Sequence, residues 1–575
     1  MILDCEFMNT AEVLVKLLEN DEIKYVFGHP GEQILPFYKA LSKSSIKHIL
    51  TRHEQGAVHS SDAYARSTGK YSVVISTAGP GAMNLVMGVA TAFKDNVPLL
   101  VITGDNDYSS IPDNKFQSFP INNVFKNMTV KSYHPSNGKI AISNFKEALL
   151  ILKKYPKGPV HINLSKDVLM DEDFSLDSLL TKEDFSLDSL FGEGDFSLND
   201  LNHQNITQNT KFLQNNIYLS LDLAIEKIAN SEKPLIIVGN GIVWAQAIEL
   251  LNEFITKHKL PITTSYPGRG IVSEDNKLNL GMVGLRGNSL SDYAYLNSDC
   301  IIVLGARLSE RTISKSENFK EFSDKIIHVN IDKNCLKGKI NICMDVYKFL
   351  EILLSKNPFK NYNLEIADKW INEIYAHEKE IYIEGIEDRE ENYNPLKPQY
   401  VINKILDNFK DNYVVSDAGT HTTWTTLLKK SDKFAKLLFS GGFGPMGFAV
   451  PGAIGVAIAY PNEKIIVICG DGDIQMVSQE LATINEYNLN ITIFVINNSQ
   501  LGIIRQWEET IYGFDSKYQV DLINPDFVKL ANAYHIDGIK VDDKDSLNLA
   551  LKKAQNKGPL LVDVIVSEEN IPMPK

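Results

Sequence analysis

"GDGDIQMVSQELATINEYNLNITIFVINN" runs from Gly470 to Asn498, opening with a carboxylate between two glycines and closing with two adjacent asparagines. Before it, the β-branched run "KIIVIC" (Lys464–Cys469) predicts a buried strand, and "ITIFVI" (Ile491–Ile496) predicts a second one. Between the two strands, apolar residues recur at helical spacing at Ile474, Val477, Leu481 and Ile484. The stretch therefore predicts a right-handed βαβ unit of a parallel sheet.

The polar residues of this unit, Asp471 and Asn498, each follow the carboxyl end of a predicted strand. Open α/β sheets bind their ligands at that edge, so we expect the two side chains to lie close together. Hard oxygen ligands with a backbone carbonyl suit Mg²⁺, which takes its remaining ligands from phosphate and water. A GDG alone usually marks a plain glycine turn. Followed at this distance by a buried strand that ends in NN, it favours a metal site.

This segment resembles the diphosphate–Mg²⁺ motif of thiamine diphosphate enzymes. The neighbouring sequence resembles the large, catalytic subunit of acetohydroxyacid synthase (acetolactate synthase), from about Ala11 to Pro574, with one atypical stretch near Asp171–Thr210. The resemblance implies an α/β fold of three doubly wound parallel-sheet domains: a pyrimidine-binding, a central Rossmann-like and a diphosphate-binding domain. It also implies thiamine diphosphate and Mg²⁺ as cofactors, with FAD as a third.

The bulk composition limits the class of protein. The chain has 575 residues, 44% hydrophobic and 23% charged, which is typical of a globular protein with several domains. A net charge of −14 argues against nucleic acid as a partner. No apolar run approaches the roughly 20 residues of a membrane span, and the N-terminus lacks the pattern of a signal peptide. The five scattered cysteines without a CxxC pair fit a reducing compartment. We therefore expect a cytoplasmic enzyme with no membrane contact.

Strand-like and helical patterns alternate in three blocks, which is typical of α/β domains. We assign an N-terminal pyrimidine-binding domain (1–170), a linker (171–212), a central FAD-type domain (213–355), a helical connector (356–397) and a C-terminal diphosphate- and Mg-binding domain (398–575).

The linker contains an acidic repeat with a period of 11 residues. Its copies "DFSLDSLL", "DFSLDSLF" and "DFSLNDL" begin at Asp173, Asp184 and Asp195. An 11-residue period could keep one face of a helix apolar. Because "GEG" interrupts the copies and "NHQNITQNT" follows them, we interpret the stretch as a variable surface linker.

Glu54 comes directly after a short predicted strand and opens an Ala-rich helix in "ILTRHEQGAVHSSDAYARSTGK". A Glu in a first helical turn usually only compensates the helix dipole. This stretch, however, resembles the family segment whose Glu hydrogen-bonds the aminopyrimidine ring of the cofactor, so Glu54 is a candidate catalytic residue. In "STAGPGAMNLVMGVATAF", Pro80 and Asn84 match positions near the same ring.

Two further turns match cofactor contacts. "SDAGTHTTW" (Ser416–Trp424) is a strand end followed by small residues, whose backbone N–H groups can hold a diphosphate. In "GGFGPMGFAVPG", Met446 matches the apolar wedge that bends the cofactor, although a Met is more often plain core packing. The resemblance assigns cofactor contacts to Gly419, Thr420, His421, Gly444, Met446, Gly472 and Asp473. It assigns the Mg²⁺ ligands to Asp471, Asn498 and the backbone carbonyl of Gln500.

In the central block, "GLRG" (Gly284–Gly287) and "GARLSER" (Gly305–Arg311) resemble the flavin-binding turns of these synthases, where FAD has no redox role. Gly305, Arg307 and Arg311 match the pattern. The alternative is that both arginines are surface residues at a βα turn.

On the substrate side, Trp507 in "RQW" matches the pocket for the acceptor 2-oxoacid. Gln117 and Lys166 match an amide and a lysine at the substrate entrance. The resemblance implies decarboxylation of pyruvate and carboligation to a second 2-oxoacid, giving acetolactate in branched-chain amino acid biosynthesis. The alternative is a related thiamine diphosphate-dependent decarboxylase or carboligase with another substrate.

Several positions depart from the family pattern. "GHPGEQ" replaces aromatic-Pro-Gly-Gly-Ala and puts His29 and Glu32 near the expected site, Ser118 stands in place of an acid, and Lys157 stands in place of an Arg. A nicotinamide oxidoreductase and a non-catalytic binding module are the other classes considered. The former needs an intact GxGxxG after a strand, which "VGNGIVW" offers only in part.

The resemblance also implies an assembly. In this superfamily the block with the catalytic Glu and the block with the metal motif meet across chains. We therefore expect a homodimer or a tetramer, with a small regulatory subunit as a further partner.

Overall fold

A computed structural model of the protein describes residues 7–110, 115–172, 174–175, 208–284, 287–309, 312, 322–360, 362–378, 393–429 and 436–572. Among these residues the strands form three six-stranded sheets, each entirely parallel, and one two-stranded antiparallel pair. The predicted α/β class with three doubly wound sheets is confirmed. No helix in this part of the chain combines the length and the apolarity that a bilayer crossing needs.

The first sheet has the strand order β3-β2-β4-β5-β7-β6. Its strands are β2 (Tyr25–Gly28), β3 (Lys47–Leu50), β4 (Ser72–Ser76), β5 (Leu99–Asp105), β6 (Lys131–Tyr133) and β7 (Val160–Ser165). Its helices are α1 (Thr10–Asn20), α2 (Leu35–Leu41), α3 (Glu54–Thr68), α4 (Pro80–Asn84), α5 (Val86–Asp95), α6 (Ile121–Phe125), α7 (Gly138–Lys153) and α8 (Lys166–Leu169). The antiparallel pair is β1 (Phe7–Met8) with β8 (Phe174–Ser175). All residues of β4, β5 and β7 are buried, as continuous apolar strands between two helical layers require.

The central sheet has the strand order β11-β10-β9-β12-β13-β14. Its strands are β9 (Pro234–Val238), β10 (Ile262–Thr264), β11 (Asn279–Met282), β12 (Cys300–Leu304), β13 (Ile326–Asn330) and β14 (Ile340–Cys343). Its helices are α9 (Gln208–Ala229), α10 (Gly241–Trp244), α11 (Ile248–His258), α12 (Ser289–Asn297), α13 (Val346–Lys356) and α14 (Leu364–Tyr375). This order, third-second-first-fourth-fifth-sixth, is that of dinucleotide-binding sheets.

The third sheet has the strand order β16-β15-β17-β18-β20-β19. Its strands are β15 (Tyr413–Ser416), β16 (Leu437–Leu438), β17 (Ile465–Gly470), β18 (Ile491–Asn497), β19 (Asp537–Val541) and β20 (Leu560–Ile565). Its helices are α15 (Pro398–Asn408), α16 (Thr420–Leu428), α17 (Ala449–Ala459), α18 (Asp471–Val477), α19 (Glu480–Glu486), α20 (Gly502–Thr510), α21 (Phe527–Ala533) and α22 (Lys544–Lys553). The first and third sheets share one topology, second-first-third-fourth-sixth-fifth.

The βαβ unit predicted from the opening motif is confirmed, because β17 and β18 are parallel neighbours. Its connection, however, is two helices rather than one. At the junction, the N–H groups of Leu481 and Ala482 donate to the carbonyls of Ser478 and Gln479, three residues back instead of four. The tighter turn redirects the chain, so that Glu480 at the start of α19 is buried.

Two segments are predicted to connect domains: the acidic repeat and the helical connector. The acidic repeat lies almost wholly outside the described residues, which include only Phe174 and Ser175 of its first copy and resume at Gln208. In the predicted connector, α14 buries Trp370, whose Nε1 donates to the Pro234 carbonyl of β9 at 3.0 Å. This part of the connector thus packs into the central core.

The first and third sheets meet through α3 and α17. The Ser60 hydroxyl on α3 donates to the Pro451 carbonyl at 2.7 Å, and His59 contacts the Phe448 ring edge-on at 5.4 Å. A Cβ built on Gly455 would lie only 1.9 Å from the Ser60 carbonyl oxygen. The two helix backbones therefore approach as closely as a glycine permits, which fixes the two sheets relative to each other.

We predict that Gly455→Ala lowers the melting temperature, because its methyl group must push one backbone off another, an overpacking cost of about 1–3 kcal/mol. The matched control is Gly452→Ala on the same helix, where a Cβ would meet the side-chain atoms Val415 Cγ1 at 3.3 Å and Ala63 Cβ at 3.4 Å. Calorimetric melting of both variants measures the difference. Equal melting temperatures would contradict the close backbone contact.

Candidate functional site

The strand order locates a crevice in the third sheet. β15 has β16 on one side and β17 on the other, so the chain leaves the carboxyl ends of β15 and β17 in opposite directions. Ligands of doubly wound sheets bind at such a switch point. Gly419, Thr420 and His421 follow β15, and Gly472 and Asp473 follow β17. The structure thus places these predicted cofactor residues at one crevice.

Glycines line this crevice where a side chain would block it. A Cβ on Gly472 would lie 3.1 Å from Met446 Cε, and a Cβ on Gly502 would lie 3.0 Å from Asn498 Nδ2 and 3.5 Å from Thr420 Oγ1. The contacts bring the predicted wedge, a predicted metal ligand and a predicted diphosphate residue to one place.

Asp471, the first residue of α18, is buried at the end of β17. Its Oδ2 accepts a hydrogen bond from Asn524 Nδ2 at 2.7 Å, and the same amide donates to Asn497 Oδ1 at 2.9 Å. Asn498 Oδ1 accepts from the Gln500 backbone N–H at 3.1 Å. Asp471 therefore reaches the asparagine pair through Asn524, and the three predicted metal residues lie on neighbouring strand ends.

Buried carboxyl groups crowd this crevice. Burial raises the pKa of Asp471 to about 6, and burial together with the Asp417 carboxylate raises the pKa of Asp473. His421 offers them no positive charge, because burial lowers its pKa to about 3 and keeps it neutral, although Nε2 lies 3.3 Å from Asp473 Oδ2. Charge on these carboxyl groups is therefore costly without a cation, and an oxygen-rich crevice of this kind fits a divalent cation of the Mg²⁺ type.

The donor set also excludes some metals. Among the described residues, no group of three His, Cys, Asp or Glu side chains is placed to hold a metal ion. A site with one carboxylate, one amide and one backbone carbonyl lacks the His and Cys ligands that Zn²⁺ prefers. It suits a cation that takes further ligands in its coordination shell from phosphate. The residues present therefore fit a magnesium–diphosphate pair.

Asp417 shapes the turn that carries Gly444 and Met446. Its carboxylate accepts hydrogen bonds from the N–H groups of Gly447 (2.9 Å), Phe448 (3.2 Å) and Ala449 (2.9 Å). Gly444 has φ +67°, a left-handed conformation that glycine adopts without strain. Asp417 thereby fixes the start of α17 and the position of Met446 beside Gly472.

Glu54 is the first residue of α3 and is largely buried. Its Oε2 accepts a hydrogen bond from Asn84 Nδ2 at 2.9 Å. A Cβ on Gly81 would lie 3.0 Å from Glu54 Oε1, so this oxygen needs the glycine beside it. The structure brings together Glu54, Asn84 and Pro80, the three residues predicted to lie near the aminopyrimidine ring.

The Glu54 group and the crevice of the third sheet adjoin within one chain. Gln55 Nε2 lies 3.4 Å from the Cβ position of Gly447, the residue next to Met446. The resemblance implies that these two blocks meet across chains. In this structure they already meet inside the single chain.

The predicted substrate residues lie on separate elements. Lys166 opens α8, and its Nζ lies 3.3 Å from Glu32 Oε1. Gln117 has φ +62°, and its carbonyl oxygen lies 2.4 Å from the Cβ position of Gly79. Trp507 is half-buried on α20. Gln117 thus lies beside Gly79, the residue before Pro80. Among the described residues, no contact joins Lys166, Gln117 and Trp507 to one another.

A separate cavity of about 540 Å³ lies at the carboxyl ends of β9 and β12, the switch point of the central sheet. Gly305 (φ +60°) and Arg307 line it, as do residues of the first and third blocks such as Asp95 and Gly442. Arg307 donates to the Lys94 carbonyl and lies 3.8 Å from Asp95 Oδ1. Arg311, predicted for the same site, lies outside the described residues, as do Leu285 and Arg286 of "GLRG".

Three residues of the site are absent from the sequence analysis: Asp417, Glu480 and Asn524. Asp417 follows a predicted strand, in the same way as Asp471 does, and this position could have marked it. Glu480 precedes Leu481 on the apolar side of a helical pattern, where a carboxylate is unusual. Asn524 lies in a loop, and nothing local in the sequence indicates that it contacts Asp471.

Family comparisons cover most of the chain. Residues 8–125 match the family model described as thiamine pyrophosphate enzyme, N-terminal TPP binding domain. Residues 221–353 match the central domain of these enzymes, and residues 417–564 match their C-terminal TPP binding domain.

The chain is also similar to several acetolactate synthase large subunits. It is 34% identical to the probable acetolactate synthase large subunit of Methanocaldococcus jannaschii over 98% of this chain and 93% of that protein. The large subunit of Cyanidium caldarium is 35% identical over 98% of this chain and 94% of its own length. The large subunit of Lactococcus lactis subsp. lactis is 32% identical over 98% of this chain and 93% of its own length.

Proposed function

The chain belongs to the thiamine pyrophosphate enzyme family, and from that premise we propose that it converts pyruvate into acetolactate. Two pyruvate molecules and one proton give acetolactate and CO₂, with one carbon–carbon bond broken and one formed. The observation that carries the proposal is the position of Glu54 at the start of α3, whose next residue, Gln55, lies against Gly447 beside Met446 and the Asp471 crevice. The similarity to acetolactate synthase large subunits over nearly the whole chain supports the choice of substrate.

Mg²⁺ is held in this proposal by Asp471, Asn498 and the backbone carbonyl of Gln500. Thr420, His421, Gly472 and Asp473 would hold the diphosphate, and their position after the carboxyl ends of β15 and β17 supports that placement. Bound thiamine diphosphate supplies a nucleophilic carbon that adds to a 2-oxo carbon and stabilises the electron pair left when CO₂ departs.

Glu54 controls a proton in this mechanism. Its Oε2 accepts from Asn84, which leaves Oε1 as the oxygen that would hydrogen-bond the aminopyrimidine ring. Met446 would support the cofactor from the third block, and Pro80 and Asn84 would contact it from the first. Burial of Glu54 would keep competing water away from the proton that it exchanges.

The acceptor 2-oxoacid is bound on the substrate side by Lys166, Gln117 and Trp507. Lys166 meets its carboxylate, Gln117 orients its carbonyl and Trp507 packs against its alkyl group. Arg311, a second cation for the carboxylate, lies outside the described residues. Glu32 beside Lys166 distinguishes this chain from the family pattern.

A second candidate function is a related decarboxylase or carboligase acting on another 2-oxoacid. The specific observation in its favour is the 3.3 Å contact between Lys166 Nζ and Glu32 Oε1. The cation that would meet an acceptor carboxylate already has a counterion, which weakens its attraction for an anionic acceptor.

FAD is proposed for the central cavity, held by Gly305 and Arg307. The strand order of that sheet and the 540 Å³ volume support a dinucleotide there. Lys157 lines the same cavity, and burial lowers its pKa to about 8. Its charge therefore persists at neutral pH and suits a phosphate.

A homodimer or tetramer in the cytoplasm is proposed as the working assembly, within branched-chain amino acid biosynthesis. Pro80 and Asn84 are exposed beside Glu54, and the Phe116 side chain is 80% exposed. An apolar ring on an open site edge fits coverage by a second chain. The relatives are named large subunits, which supports a small regulatory subunit as a further partner.

Product analysis tests the proposed function. The protein supplied with pyruvate, thiamine diphosphate, Mg²⁺ and FAD should form acetolactate and CO₂, followed by NMR of ¹³C-labelled substrate. Acetaldehyde as the sole organic product would favour the decarboxylase, and unconsumed pyruvate would mean another substrate. Either result would contradict acetolactate synthesis.

We predict that Glu54→Gln binds thiamine diphosphate but slows exchange of its thiazolium proton in deuterated buffer, because positioned acid–base groups contribute roughly 10²–10⁴-fold. NMR of the bound cofactor measures the exchange rate. The same change at a surface carboxylate, Glu147→Gln on α7, is the matched control and should leave the rate unchanged. A rate for Glu54→Gln equal to that of the control would refute the role of Glu54.

A further inference from the structure

The turn between β3 and α3, residues 50–53, places Glu54 at its C-terminal end. Three of its four backbone N–H groups, those of Leu50, Arg52 and His53, donate to the third block, whereas that of Thr51 donates to the Gly28 carbonyl of the first block at 3.3 Å. The Arg52 N–H donates to Glu480 Oε1 and Oε2 at 3.1 and 3.2 Å, and the His53 N–H donates to Oε1 at 3.0 Å. The Leu50 N–H donates to the Tyr487 hydroxyl at 2.9 Å.

Glu480 is fully buried at the start of α19. Besides the two backbone N–H groups, its Oε2 accepts a hydrogen bond from the Thr483 hydroxyl at 2.7 Å. A Cβ on Gly56 would lie 2.3 Å from Oε1, so α3 carries a glycine where the carboxylate lies against it. Burial raises the pKa of Glu480, while these donors and the Arg52 charge favour its ionised form.

This contact is not the only one that docks the two blocks. The close packing of α3 against α17 around Ser60, Pro451 and Gly455 joins them elsewhere. Glu480 instead acts on the two residues that directly precede Glu54. Because the backbone N–H groups of Arg52 and His53 both donate to one carboxylate, its position sets where α3 begins and where the Glu54 carboxylate points.

We propose that Glu480 is a positioning residue for Glu54, holding the turn at Arg52 and His53 from the third block. The inference rests on the proposed role of Glu54 toward thiamine diphosphate. It adds that the helix following the Asp471 motif also orients the acid on the opposite block. Binding of the diphosphate and placement of the proton-transferring group are thereby tied to one segment, residues 471–486.

Two substitutions of Glu480 weaken its hydrogen bonds to the turn to different degrees. Glu480→Ala removes the acceptor, whereas Glu480→Gln keeps the volume and one acceptor oxygen. Thr483→Val is the matched control, because it removes a donor to the same carboxylate but leaves the bonds to Arg52 and His53. Amide hydrogen exchange of the protein without cofactor should be roughly 10- to 100-fold faster at Arg52 and His53 in Glu480→Ala, as expected for a lost bond to a charged acceptor. Glu480→Gln should be intermediate.

A double-mutant cycle separates positioning from stability. Glu480→Ala should slow thiazolium proton exchange about tenfold in the parent background and by less than about twofold in the Glu54→Gln background, because residues that act through one group are not additive. Thr483→Val should match the parent in both measurements. Neither readout requires pyruvate, so failure of acetolactate synthesis would leave this test intact.

Three outcomes would overturn the proposal. They are unchanged amide exchange at Arg52 and His53, equal slowing of proton exchange in both backgrounds, and failure of both Glu480 variants to fold. The last result would assign Glu480 to stability alone.

Discussion

The site depends on carboxylates buried at the carboxyl ends of β15 and β17. Burial raises the pKa of Asp417 and of Asp471 to about 6, from an ordinary value of 3.8. Since the folded state holds these protons more tightly than the unfolded chain, folding without a cation loses stability as the pH rises from about 4 to about 6. Asp417 offsets the cost of its burial through four backbone N–H groups, those of Ala418, Gly447, Phe448 and Ala449. Asp471 has an amide partner and is the carboxylate that a cation would stabilise.

The same strand topology in the first and third sheets puts matching edges face to face. The crevice of the third sheet offers glycine turns and oxygen ligands, while the first sheet offers a buried acid at a helix start. The α3–α17 contact holds these edges together with almost no clearance at Gly455. We propose that the third sheet holds the diphosphate and its cation, and that the first sheet supplies the acid that moves a proton.

Local patterns in the sequence predict much of this arrangement. β-branched runs and glycine turns predict β17, β18 and the position of Asp471 between them, and Glu54 directly follows a strand-like run. The family resemblance adds residues such as Met446, whose role no local pattern indicates. Asn524 and Glu480 could not be predicted, because each acts through a contact with a distant segment. Periodicity reports the environment of a residue and not its partner. The helix break before Glu480 was likewise missed, because apolar spacing continues across it.

We propose that the strand ends around Asp471 bind a diphosphate through a divalent cation. Calorimetric titration of thiamine diphosphate into the parent protein and into Asp471→Ala, with Mg²⁺ and with a chelator, tests it most directly. Asp526→Ala, which removes the N-cap of α21 and an exposed ion pair with Lys529, is the matched control. We expect the parent and Asp526→Ala to bind thiamine diphosphate tightly only when Mg²⁺ is present. We expect folded Asp471→Ala to bind it weakly both with Mg²⁺ and with the chelator. Equal affinity of parent and Asp471→Ala in the presence of Mg²⁺ would contradict it.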